Sequence, residues 1–158
     1  MHLLSGTSAT DACARGGLRT SVRHIKCTTE VKLMTTLVYV FCALLTGLAV
    51  FQGLLIAGLP LGHFAFGGQN RVLPPRLRLG SAASIVIYAV FATTALVRGN
   101  VIDVIPNEGF AFVLMWVIAG YLLLGVVMNL LSRSRAERFT MAPLSLVLGL
   151  IAGVIAGG

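Results

Sequence analysis

Four long stretches of this chain contain no Asp, Glu, Lys, Arg or His: Met34 to Leu59, Leu79 to Val97, Phe110 to Leu131, and Met141 to Gly158. A bilayer core about 30 Å thick is crossed by about 20 apolar residues rising 1.5 Å each. The first three stretches meet that length, and the fourth lies near its short end. In lipid every backbone N–H and C=O must be satisfied internally, and the stretches lack the alternation of barrel strands, so helices remain. The expected spans are 34–59, 79–97, 110–131 and 141–157. Their links, 60–78, 98–109 and 132–140, are short, which places successive helices antiparallel. The expected fold is therefore all-α, a transmembrane four-helix bundle with up-down-up-down topology. Thr140, with Pro143 three residues on, is the expected start of the last helix.

Composition excludes a soluble domain. Apolar residues make up 57% and charged residues 11%, against about 25% charged in ordinary globular chains. The net charge of +7 sits in short stretches between the apolar blocks, a pattern of membrane orientation and headgroup contact. No soluble segment interleaves aromatic residues with Lys and Arg, so no nucleic-acid partner is expected. The expected partners are the lipid bilayer, anionic lipids in particular, and a second copy of the chain. Cys13, Cys27 and Cys42 share no metal or redox spacing, and no cofactor motif is present.

Residues 1–33 are basic and rich in Ser, Thr, Arg and Gly. A disordered extension, a transit peptide and a mis-called start upstream of Met34 are three readings of them. The third is preferred, leaving 34–158 as the transmembrane domain. Orientation depends on it. Arg71, Arg76, Arg78, Arg133, Arg135 and Arg138 share one side of the membrane, and Arg98 lies on the other. That asymmetry makes the six-arginine side cytoplasmic. Counting Arg15, Arg19, Arg23, Lys26 and Lys32 on the far side removes it.

Small residues recur every four positions at Ser145, Gly149, Gly153 and Gly157, and at Ala49, Gly53 and Ala57. Such stripes let helices approach closely in lipid. Packing of the fourth helix on the first is preferred to a homodimer seam. Ser and Thr within spans are expected to bond their own helix backbone. Gln52 is costlier to bury and is expected to bond across helices, while Trp116 and Tyr121 are assigned to packing.

The link 60–78 is too apolar for a solvated hairpin and too broken by Gly and Pro for a helix. Gly67 and Gly68 permit positive φ, and Pro74-Pro75 favours extended backbone. Phe64 and Phe66 are placed in the acyl boundary, with His63 and the arginines at headgroup phosphates. No catalytic set and no metal-ligand cluster is visible. His63 has no acidic or thiol neighbour in sequence, and Asp103 and Glu108 read as solvated loop charges.

The run Gly58-x-Pro60-x-Gly62-x-x-Ala65-Phe66-Gly67-Gly68, followed by Leu73-Pro74-x-x-Leu77-Arg78-x-x-Ser81, resembles a pattern in small uncharacterised bacterial integral membrane proteins. Those proteins also carry an Asn-x-x-Ser-Arg-Ser-Arg-x-Glu-Arg stretch, here Asn129 to Arg138, and often Trp at the position of Phe66. The resemblance covers residues 34–158. It implies four helices in a bacterial inner membrane and no particular activity.

Three function classes follow. A non-enzymatic structural or accessory membrane component is preferred. A small uncoupled permease acting as an oligomer comes second, with Gln52 and Asn129 as lining groups. A headgroup-level enzyme comes last.

Overall fold

A computed structural model describes residues 21–102 and 108–158, with the side chains of 21–27 and 108 outside the description. It is a transmembrane bundle of four helices: α1 Ser21–Ile56, α2 Pro75–Arg98, α3 Glu108–Leu130 and α4 Arg135–Gly157. All four are long and apolar enough to span a bilayer, and no strand occurs among the described residues. The chain is a multi-pass membrane protein.

Helix α1 runs 36 residues, about 54 Å at 1.5 Å per residue. It departs from the expected start at Met34, because residues 21–33 are helical rather than a loose extension. No Gly or Pro occurs between Ser21 and Gly47, so nothing breaks the helix. Thr35 and Thr36 donate to the carbonyls of Val31 and Lys32, within the helix on both sides of Met34. Residues Thr28 to Leu33 are exposed, and the helix enters the bundle from Met34 onward. Residues 1–20, with most of the expected basic extension, lie outside the described residues, as does Asp103.

Two further starts differ from expectation. Helix α2 begins at Pro75 instead of Leu79. Pro74 is extended (φ −65°, ψ 156°) and Pro75 occupies the first helical position, where a missing N–H costs nothing. Helix α4 begins at Arg135 instead of Met141. Ser134 is its N-cap and accepts from the Glu137 N–H, the serine half of a capping box. Pro143 therefore lies inside α4, and Thr140 does not start it.

The helices close a ring in chain order. The pairs α1–α2 and α3–α4 are the most intimate, α2–α3 and α1–α4 complete the ring, and α2 also meets α4. The inward face of α1 is Val38, Phe41, Leu45, Leu48, Gln52 and Leu55, spaced alternately by three and four residues as in a coiled-coil seam. The main core gathers Val38, Phe41, Phe91, Met115, Ile118 and Ile155. It lies toward the end of the bundle where Met34, Gly99 and Gly158 meet. There a Cβ on Gly99 would stand 2.7 Å from Val38, and one on Gly158 would collide with Met34. Arg98 donates to the Ala156 carbonyl at 3.4 Å and sits 5.6 Å from the Phe112 ring centroid.

The small-residue stripes do not pack as expected. A Cβ on Gly149 would stand 2.9 Å from Leu123 of α3, whereas Gly153 and Gly157 have nothing within 4 Å. At about 100° per residue, a step of four advances about 40° around the helix, so the stripe drifts off the α3 contact within two steps. Of the α1 stripe, Gly53 likewise faces open space, and Ala57 lies past the helix end. Ser145 and Gly149 thus pack α4 on α3, not on α1. Trp116 and Tyr121, assigned to packing, are about half exposed. Trp116 makes an edge-on contact with Phe112, and Tyr121 one with the buried Phe91.

Candidate functional site

The α1–α2 loop folds back over the end of the bundle opposite Met34. Leu55, Ala65 and Leu73 form a small core of its own, flanked by Phe51, Leu61 and Leu77. Two short 3₁₀ turns, Gly62–Phe64 and Phe66–Gly68, take the chain across. Gly62 is buried and donates to the Arg71 carbonyl at 3.2 Å, and any Cβ there would run into the Asn70 carbonyl. Gly67 and Gly68 adopt φ +78° and +68°, the left-handed conformations that glycine allows without penalty.

Two bonds tie this loop to the start of α4, and a third, from Ser132 in the α3–α4 link, braces Glu137. The Gly67 N–H donates to Glu137 Oε2 at 2.9 Å. Ser132 Oγ donates to the same oxygen at 2.5 Å. Ser134 Oγ donates to the His63 carbonyl at 2.5 Å, while accepting from the Glu137 N–H. Glu137 is 9% exposed, so its carboxylate is largely removed from water. Its position in the first turn of α4 suits a negative charge. No ion pair to it occurs among the described residues.

Beneath the loop lies a cavity of about 370 Å³ reached from all four helices. Its polar lining is Gln52, Ser84, Tyr88, Asn129, Glu137 and Ser145. The rings of Phe51, Phe64, Phe66, Tyr88 and Tyr121 also face it. Asn129 Nδ2 donates to Ser145 Oγ at 3.0 Å, a cross-helix bond from α3 to α4. Gln52 is 8% exposed and stands beside Tyr88 of α2, and its Oε1 has no hydrogen-bond partner. Other hydroxyls serve their own helices: Thr46, Ser84, Thr93 and Thr94 each bond the carbonyl four residues back.

The expected site residues therefore divide. Phe64 and Phe66 both border the cavity, while Phe66 stays 40% exposed with its ring against Gly80. Arg71, Arg76, Arg133, Arg135 and Arg138 are exposed at this end. Arg78 is half-buried, donating to the Leu73 carbonyl at 3.0 Å and leaning on Gly58. The His63 side chain is exposed and stacks at 4.1 Å on Phe64. No group of three or more His, Cys, Asp or Glu side chains stands close enough to hold a metal among the described residues. Gln52 and Asn129, expected as lining groups if the bundle holds a small molecule, do line the cavity. Glu137 was not expected there. The signal available for it was the Ser134-x-x-Glu137 spacing, which marks the helix start and so brings Glu137 into the bundle mouth. Set against family models, curated proteins and solved structures, the chain finds no match in any of the three.

Proposed function

We propose that this protein is a non-enzymatic component of a bacterial inner membrane, which engages anionic lipid headgroups at its loop-covered end. The observation that carries this reading is the convergence of Arg71, Arg76, Arg78, Arg133, Arg135 and Arg138 on one end of the bundle. The only acidic side chain described there, Glu137, is buried and already bonded. Exposed guanidinium groups without carboxylate partners match phosphate geometry, and each is worth about 1 kcal/mol at an anionic surface. The test is native mass spectrometry of the protein released from vesicles of mixed phosphatidylglycerol and phosphatidylcholine. The intact chain is expected to retain phosphatidylglycerol in preference. A variant with Arg76, Arg135 and Arg138 replaced by Gln is expected to lose that preference, and equal retention by both proteins rejects the reading.

A second reading, a small permease, is favoured by the cavity alone. The packed core between Phe41, Met115 and Ile155 closes the opposite half of the bundle, so passage would require the helices to move apart.

A further inference from the structure

The cavity presents an asymmetric carboxylate. Both bonds that Glu137 accepts fall on Oε2, and no described group donates to Oε1. The carboxylate is thus held in place by one oxygen, and Glu137 itself borders the cavity. No Lys, Arg or His lines that space. A carboxylate removed from water without a cation beside it is expensive, and the α4 N-terminus and two donors offset only part of that cost. The second unmatched acceptor is Gln52 Oε1, buried in the same lining. The same lining holds the aromatic rings of Phe51, Tyr88 and Tyr121, and aromatic faces attract cations. The volume of about 370 Å³ is more than twice the roughly 150 Å³ that admits a benzene molecule. It therefore accommodates a single ring with a compact charged head.

We propose that this cavity is a binding site for a small organic monocation with an apolar body, its charge set at Glu137 and Gln52 and its body among the aromatic rings. The exposed arginines at the same end oppose a cation, but they face solvent, where salt screens them. Glu137 borders the cavity directly. Phe64 and Phe66 of the loop border the same space.

The test uses the full chain in phosphatidylcholine nanodiscs, which carry no net charge, and radiolabelled benzyltrimethylammonium as probe in equilibrium dialysis. Saturable binding of one probe per chain is expected. Glu137→Gln keeps an oxygen to accept from Gly67 and removes the charge, and is expected to weaken binding at least tenfold. Gln52→Leu is expected to weaken it several-fold. Gly125→Leu fills the cavity from α3, where only Ser145 lies within 4 Å of the new Cβ, and is expected to abolish binding. Gly120→Leu, on the open face of α3, leaves it unchanged and controls for loss of fold. Absence of saturable binding to the unaltered protein overturns the proposal. So does undiminished affinity in Glu137→Gln or in Gly125→Leu. Should Glu137→Gln fail to fold, the Gln52 and Gly125 variants decide. The lipid reading depends on the arginines and can fail or survive independently.

Discussion

The two halves of this bundle are built on opposite plans. Toward Met34 and Gly158, side chains such as Phe41, Met115 and Ile155 are fully enclosed. Toward the first loop the same four helices surround a cavity of about 370 Å³, where polar residues join the apolar ones in the lining. Along α1 the change happens within one seam: Val38, Phe41, Leu45 and Leu48 give way to Gln52. The loop half packs only the smaller core of Leu55, Ala65 and Leu73, and the bonds of Gly67 to Glu137 and of Ser134 to His63 hold it as well.

That contrast can be broken in several places. Phe41→Ala should cost about 3–5 kcal/mol, as for large core aromatics elsewhere, whereas Phe64→Ala, half-buried at the cavity wall, should cost about 1–2 kcal/mol. Unfolding midpoints in mixed micelles would compare them, and equal losses would mean that the cavity half is packed after all. Glu137→Ala strands the Gly67 N–H and should cost about 1–3 kcal/mol. Limited proteolysis should then cut within 62–70 while the helices stay intact. Gly149→Leu would force its side chain against Leu123 and should cost about 1–3 kcal/mol. Ser134→Ala removes both the α4 cap and the bond to His63, for about 1 kcal/mol, measurable as faster amide exchange at Glu137. Gly153→Leu, facing open space, should change monomer stability by no more than about 0.5 kcal/mol. If it instead dissociates a dimer in native mass spectra, that open face is a homodimer seam in lipid.

Much of the fold was legible in the sequence because hydrophobic length alone selects helices in lipid. The four blocks, their number and their antiparallel order follow from that constraint. Helix starts were less legible. The Thr140 and Pro143 signal competes with Ser134 and Glu137, and the serine prevails because its cap satisfies backbone donors that the bundle end leaves without water. The stripe at Ser145, Gly149, Gly153 and Gly157 was visible, but its partner was not, since a four-residue spacing drifts around the helix and tertiary geometry decides which members meet a neighbour. The cavity could not be read from spacing at all. It depends on how Gln52, Asn129 and Glu137 converge from three helices, and only the polar identity of the first two hinted at it.

The bond from Gly67 to Glu137 spans 70 positions of sequence. During synthesis the first loop emerges long before Glu137 exists, so the Gly67 donor stays unmet until α4 has been translated and inserted. Assembly of this end therefore waits for α4. A chain stopped short of α4 would display an apolar loop, Phe64 and Phe66 included, in the form that membrane quality-control proteases recognise.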